Sequence, residues 1–196
     1  MNYIIIGTSQ GIGKEVLKSL SKKNKLIICS RKIVNIKKKF TNSSNIFLKF
    51  DANNLKDIDK LFNLAKKKFK KIDGIICCQG VLGEPKNIYD YNTKNWFKIF
   101  DLNFKSNFLI INKLFKLIKK NHYSNIIFFS GGGAFNTWEQ FSPYSVAKTA
   151  LVRFSENLAA ELKEYKIIVN CIAPGFIRTN IHNKSLKKLS KLSKKY

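Results

Sequence analysis

The stretch from Asn2 to Gly13, NYIIIGTSQGIG, constrains the fold more than any other part of the chain: a short apolar strand over Tyr3–Ile6 meets a glycine-rich turn and then a helix continuing as KEVLKSLSKK. Gly7, Gly11 and Gly13 stand at the turn and the helix entry, where the lack of a side chain lets the backbone come close to a ligand. The first amides of a helix have no intrahelical acceptor and point beyond its N-terminus, a geometry that suits a phosphate. The spacing is G-x-x-x-G-x-G, so the strand-turn-helix context of the commonest dinucleotide fingerprint is met while its letters are not. On this stretch alone, nucleotide binding and an ordinary glycine-rich turn both stay open.

The pattern downstream decides the fold class. Lys25–Cys29 (KLIIC) reads as a second strand followed by Ser30-Arg31-Lys32, and Asn45–Phe50 (NIFLKF) as a third strand closed by Asp51. Leu55, Ile58, Leu61, Phe62, Ala65 and Phe69 recur at helical spacing, predicting an amphipathic helix with a lysine-rich outer face. Gly74–Cys78 (GIICC) is a fourth, wholly apolar strand, as a parallel sheet covered on both faces requires. A loop over Gln79–Asn95 leads to helical material around Trp96–Phe100 and a long helix over about Asn103–Lys119. Ile126–Phe129 is a fifth strand ending in Ser130-Gly131-Gly132-Gly133, Pro143–Glu164 another long helix, and Ile167–Ile172 a sixth strand stopped by Ala173-Pro174-Gly175. Alternating strands and helices predict one three-layer α/β domain, a doubly wound parallel sheet of Rossmann type in order 3-2-1-4-5-6, with ligands beyond the carboxyl ends of its strands.

Several function classes are disfavoured by composition. The formal net charge of +25 raises nucleic acid or an anionic membrane as partner, but the excess is almost all lysine spread along the chain, with arginine only at Arg31, Arg153 and Arg178. Bidentate base recognition uses arginine concentrated on one face, so no specific nucleic-acid function is expected. Trp96, Phe100, Phe104, Phe108 and Phe115 lie at helical spacing and read as core or subunit interface rather than a stacking platform. His122 and His182 have no second ligand at metal-binding spacing, and Cys29, Cys77, Cys78 and Cys171 close apolar runs as buried free thiols, so no metal site is expected. No apolar run approaches the 18 to 20 residues that cross a bilayer, and the chain enters its first strand directly after Met1 and Asn2. A cytoplasmic protein of one domain over residues 1–196, with a lysine-rich tail over 180–196, is the expectation.

The chemistry-bearing residues gather at the predicted strand ends: Asn103, Ser130, Tyr144 and Lys148. Tyr144 and Lys148 are four apart in PYSVAKTA and share a face if that segment is helical. A tyrosine hydroxyl of pKa about 10 is a poor base at neutral pH, but a nearby ammonium favours the phenolate and brings proton transfer within reach. A surface Tyr-Lys pair, ordinary in so lysine-rich a chain, is the competing reading until Ser130 and Asn103 are brought to the same place.

With those motifs set out, the chain resembles the short-chain dehydrogenases/reductases from its first strand to about Thr179. GTSQGIG resembles that family's TGxxxGIG loop with Ile6 in place of the threonine, CCQG at Cys77–Gly80 stands where the family shows NNAG, and DLNFKSNF, SGGGAF, YSVAK and CIAPGFIRT follow in the family's order. The resemblance implies an NAD(P)(H)-dependent oxidoreductase acting on a small-molecule carbonyl or alcohol. Tyr144 would be the proton donor, Lys148 the ribose ligand that lowers the tyrosine pKa, Ser130 the polariser of the substrate oxygen, and Asn103 the holder of a relay water. It implies cofactor contacts from Gly7, Ser9, Gln10, Gly11, Ile12, Gly13, Asp51, Gly80, Tyr144, Lys148, Pro174, Gly175, Ile177 and Thr179. The second strand ends without an acid to bond a ribose 2′-hydroxyl, whereas Arg31 can pair with a 2′-phosphate, so NADPH is expected over NADH. As in the family, the helices starting near Asn103 and Pro143 are expected to pair across a two-fold axis in a homodimer or homotetramer.

Two departures accompany the resemblance. The spacing from Ser130 to Tyr144 is one residue longer than commonest, leaving Gly131 where a strict alignment puts the serine; glycine offers no hydroxyl, so the role is assigned to Ser130. Loss of the NNAG asparagines removes a brace between neighbouring strands. Substrate choice is expected to lie in bulky side chains such as Phe135, Trp138 and Phe176, suiting an apolar or planar group. The other class of function weighed is a catalytically silent nucleotide-binding or scaffold protein.

Overall fold

A computed structural model describes residues 1–40, 44–175 and 177. The strands are β1 (Asn2–Ile6), β2 (Lys25–Ser30), β3 (Ile46–Lys49), β4 (Gly74–Cys77), β5 (Ser124–Phe129) and β6 (Ile167–Ile172). They form one parallel sheet in the order β3-β2-β1-β4-β5-β6, as the strand and helix periods predict. The helices are α1 (Gly11–Leu20), α2 (Ile33–Lys37), α3 (Leu55–Phe69), α4 (Thr93–Phe100), α5 (Ser106–Leu114) and α6 (Ser142–Glu161).

Alternation along each strand assigns side chains to the two faces. Ile4, Ile6, Ile27, Cys29, Ile75, Cys77, Ile126, Phe128 and Val169 belong to the larger core with the apolar stripes of α3, α5 and α6. Ile5, Leu26, Ile28 and Ile76 face the other way and pack against Leu17 of α1 and Ile36 of α2. Both faces are covered, which is why β1, β2 and β4 read as continuous apolar runs.

The expected helix over Asn103–Lys119 differs in detail. Helix α4 runs without a break into a π-turn over Asp101–Lys105, then into α5, and closes in a 3₁₀ turn at Phe115–Leu117. Asn103 lies in the wide turn and is fully buried; its Nδ2 donates to the carbonyls of Ile99 and Val81, both at 2.8 Å. An amide that bonds the turn before it favours such a local widening over regular i→i−4 pairing, and isolated π-turns concentrate at functional sites.

Candidate active site

The carboxyl ends of β1, β4 and β5 open on one side of the sheet, and two adjoining cavities of about 480 and 360 Å³ lie beyond them. The first is lined by Gly7, Ser9, Gln10, Ser30, Arg31 and Asp51 among others; the second by Gln10–Gly13, Gly80, Ser130–Gly132, Tyr144, Lys148, Pro174, Gly175 and Ile177. They share Gln10 and the segment Cys78–Val81, so one elongated ligand can extend from Arg31 to Tyr144. Of the residues singled out in the sequence, Phe176, Arg178 and Thr179 fall outside the described residues, and so does the segment 180–196.

The glycine-rich turn is built by crowding. Gly7 has φ +84°, and a Cβ there would lie 2.5 Å from the Gln79 amide nitrogen; a Cβ on Gly13 would strike the Gly7 carbonyl oxygen. Only glycine lets α1 begin this close to β1 and β4. Gln10 precedes α1 in extended conformation without a side-chain cap bond to the helix, and the first turn holds no acid, so the initial amides face the cavity without competing negative charge. At the far end of the first cavity Asp51 accepts from the Asn53 amide at 3.0 Å, while Ser30 Oγ accepts from the Lys32 amide at 3.2 Å and turns the chain so that Arg31 lines the cavity.

Tyr144 and Lys148 occupy successive turns of α6 and both line the second cavity. Among the described residues nothing accepts the Tyr144 proton. Its ring is stacked on Trp138, centroids 5.8 Å apart and planes 19° apart. Lys148 is 4% exposed, and its Nζ donates to the Phe129 carbonyl at 2.6 Å. Burial lowers the Lys148 pKa to about 8, and the Cys171 and Cys78 thiols beside it pull the other way. Here the expectation that Lys148 lowers the tyrosine pKa is not met: burial pushes the Tyr144 hydroxyl above 10.0, and the ammonium sits over the ring at 5.7 Å from its centroid with its short hydrogen bond turned to Phe129. A tyrosine that keeps its proton can give it to a carbonyl oxygen during reduction.

Ser130 reaches the cavity where the sequence places it, with a partner for its hydroxyl inside the protein. It lines the cavity, but its single hydroxyl proton goes to the Lys148 carbonyl at 3.1 Å and the residue is 6% exposed. The extra residue before Tyr144 is the reason: Gly131 stands opposite the tyrosine, so close that a Cβ on it would come within 2.6 Å of the Tyr144 hydroxyl oxygen. Asn103 Oδ1 accepts from the Val81 amide at 3.2 Å and faces Lys148 across Gly80, where a Cβ would lie 3.0 Å from Asn103 Oδ1 and 3.5 Å from Lys148 Nζ. Glycine at 80 is what allows that approach.

Sequence reasoning missed Gln79 and Asn107. Gln79 Nε2 donates to Asn107 Oδ1 at 2.9 Å, and Asn107 Nδ2 donates to the Asn103 carbonyl at 2.8 Å, so a chain of buried amides ties the end of β4 to the π-turn. This supplies a brace after the loss of the two asparagines of NNAG, and the signal was a glutamine ending an apolar strand. Trp138 lines the second cavity as expected, whereas Phe135 is exposed and does not. Burial pushes the Cys78 thiol up to about 12 and raises Cys29 and Cys77 as well, so these cysteines are protonated packing groups.

A family model described as short chain dehydrogenase matches residues 2–190. The chain is 31% identical over 193 residues to the 3-oxoacyl-[acyl-carrier-protein] reductase FabG of Buchnera aphidicola, covering 96% of this chain and 78% of that protein. It is 26% identical over 189 residues to the benzil reductase IRC24 of Saccharomyces cerevisiae, covering 91% of this chain and 72% of the relative. A crystal structure of a short chain dehydrogenase family protein from Francisella tularensis superposes with a TM-score of 0.85 at 27% identity, covering 98% of this chain and 76% of that one. With a glycine-rich turn at the start of α1 and a Tyr-Lys pair beside the end of β5, the chain belongs to the short-chain dehydrogenase/reductase family and is an NAD(P)(H)-dependent oxidoreductase of carbonyl or alcohol substrates.

Proposed function

We propose that the protein is a single-domain NADPH-preferring reductase of an apolar or planar carbonyl, with Tyr144 as the proton donor. The observation that carries this reading is the Tyr144 proton, without an acceptor among the described residues, in a cavity continuous with the acid-free start of α1. The cofactor, when bound, supplies the hydride to the carbonyl carbon. Gly7, Ser9, Gln10, Gly11, Ile12 and Gly13 would hold its diphosphate, Asp51 its adenine, Lys148 its ribose hydroxyls, and Gly80, Pro174, Gly175 and Ile177 its nicotinamide end. Thr179 keeps the role that the family resemblance gives it. Asn103 Oδ1, facing Lys148 across Gly80, holds the relay that returns a proton to Tyr144 through water. Ser130 acts one step back, by fixing the Lys148 carbonyl. Trp138 stacked on Tyr144 gives the cavity a flat apolar wall, which supports a planar substrate group of the kind named in benzil reductase or a 3-oxoacyl chain of the kind named in the FabG relative. The test is purified protein with NADPH and a panel of diketones, sugars and 3-oxoacyl thioesters, following cofactor oxidation by the parent beside Tyr144→Phe and Lys148→Met.

Preference for NADPH rests on Arg31, which lines the first cavity where the second strand ends without an acid. Arg31→Ala should weaken NADP⁺ binding by about 1 to 3 kcal/mol and leave NAD⁺ nearly unchanged, the range of a hydrogen bond to a charged group. Titrating both nucleotides by calorimetry checks this, and equal losses for the two would remove the assignment.

A homodimer or homotetramer is the proposed assembly. Helices α5 and α6 flank a groove of about 230 Å³ lined by Phe108, Ile111, Phe115, Phe154 and Leu158, and Phe108 is 44% exposed. A self-complementary apolar face is what a two-fold interface buries. Sedimentation should give a dimer or tetramer at micromolar concentration for the parent and monomer for Phe108→Lys; a monomeric parent would reject the interface. Among the described residues no helix is long and apolar enough to cross a membrane. A cytoplasmic location and the absence of a specific nucleic-acid partner stay part of the proposal, on the dispersed lysine charge.

A further inference from the structure

We propose that the second hydrogen bond to the substrate oxygen comes from the side-chain amide of Asn136, in a site where Gly131 takes the position opposite Tyr144. This rests on the reading of Tyr144 as proton donor. A carbonyl oxygen has two lone pairs and Tyr144 fills one, so a reductase site benefits from a second donor where negative charge develops. Ser130 cannot be that donor while its only proton is bonded to the Lys148 carbonyl inside the protein. Gly131 brings no side chain, and its φ of 176° is extended backbone open to any residue. The need for glycine there is therefore one of space, since a Cβ would lie 2.6 Å from the Tyr144 hydroxyl oxygen.

The other side-chain donors around this cavity are mostly committed. Gln79 Nε2 is bonded to Asn107 at 2.9 Å, and Lys148 Nζ to the Phe129 carbonyl at 2.6 Å. Gln10 stands at the entry to α1, on the segment that both cavities share. Asn136 lines the cavity just after the short turn Gly132–Ala134 that Gly131 precedes, and it is exposed. Its Nδ2 makes a long 3.4 Å contact with the carbonyl of Gly132, the residue next to the one that faces Tyr144. A primary amide carries two N–H donors, so one is free for a ligand, and the long contact is readily exchanged for a better one. As the substrate oxygen takes the Tyr144 proton, the Asn136 N–H keeps its own and its bond shortens onto the growing charge. Asn136 thus sets where the carbonyl oxygen sits, the part expected of Ser130 from the sequence.

The experiment uses a Trp96→Phe background, in which Trp138 is the single tryptophan and reports on the cavity. Benzil, and separately an acetoacetyl thioester, is titrated into the full chain saturated with NADP⁺, reading Trp138 fluorescence; NADPH-dependent reduction of the same probes is measured alongside. Asn136→Ala should raise the Kd of the probe about 3- to 10-fold and lower kcat/KM about 10- to 100-fold, because the bond strengthens in the transition state. Asn136→Asp keeps the shape and loses the N–H, and should lose at least as much at neutral pH. Ser130→Ala should lose less than Asn136→Ala in both measurements. Parent-like probe affinity in Asn136→Ala and Asn136→Asp, or a larger loss in Ser130→Ala than in either, overturns the proposal. Undiminished turnover in Tyr144→Phe would remove the underlying reading instead, while the Kd values still decide where the oxygen is held. If the parent binds neither probe, the cavity does not take a carbonyl and both fall.

Discussion

Tyr144→Phe is expected to keep the fold and the affinity for NADPH while losing about 10²-fold or more in turnover, the scale of general acid-base catalysis. The substitution removes one oxygen and retains the ring, so the stack on Trp138 at 5.8 Å and the packing of α6 are preserved. Among the described residues no partner accepts the Tyr144 proton, so no internal hydrogen bond is broken, and the melting temperature should not fall. Burial holds the hydroxyl pKa above 10.0, so the parent tyrosine is protonated throughout the neutral range and ready to donate. Carbonyl reduction by the parent should accordingly be flat from about pH 6 to 8 as far as Tyr144 is concerned, whereas alcohol oxidation, which needs the phenolate, should rise with pH. Single-turnover kinetics with NADPH and a ketone separate this from an effect on binding. Turnover in Tyr144→Phe equal to the parent would reject the mechanism.

The fold was legible because its signals are local and repeated. Strands β1, β2 and β4 are short apolar runs that could be strands or buried helix segments in isolation; the amphipathic helix after β3 and the glycine-rich turn after β1 settle the choice by context. The π-turn at Asp101–Lys105 was not legible, since its residues keep the helical pattern and the side-chain bonds of Asn103, Ser106 and Asn107 to backbone carbonyls around it leave no mark in the spacing. The site was legible as a set of residue types and less so as a set of directions. Spacing brought Tyr144 and Lys148 onto one face of α6, yet Ser130 and Gly131 both line the cavity just past the end of β5, and only the structure shows that Gly131 is the one opposite the Tyr144 hydroxyl while the Ser130 hydroxyl bonds the Lys148 carbonyl. Electrostatics was legible least. Lysine beside tyrosine suggests a lowered tyrosine pKa in water-like surroundings, but both groups are removed from water here, and desolvation acts against the charged form of each.

That desolvation makes Lys148 costly to the fold, and Lys148→Met should show the cost and the function together. A lysine lowered from 10.5 to about 8 in the folded state destabilises it, at any pH below 8, by about 3 kcal/mol relative to an unperturbed lysine, at 1.36 kcal/mol per unit. Between those two values the unfolded chain binds the proton that the folded chain has released, so stability rises with pH across the window. Methionine has similar volume and no charge, though the bond from Nζ to the Phe129 carbonyl at 2.6 Å is lost with the lysine. Allowing about 1 kcal/mol for that bond, Lys148→Met should be more stable than the parent by about 2 kcal/mol at pH 7, with the gap closing as pH approaches 10. The exposed lysines titrate alike in both proteins and cancel in the comparison. The titratable groups facing Lys148 among the described residues are Tyr144, Cys78 and Cys171, and the thiols hold its pKa up, so they reduce the gap rather than create it. In the same variant NADPH affinity and turnover should both fall, turnover by about 10²-fold or more, because one ammonium serves the ribose and the proton relay. Urea unfolding at pH 7 and pH 10, run beside nucleotide titration, reads both effects. A variant less stable than the parent at pH 7 would mean that Lys148 is a structural ion whose burial the fold needs, whereas a gain in stability with loss of activity marks a group kept in place by its chemistry.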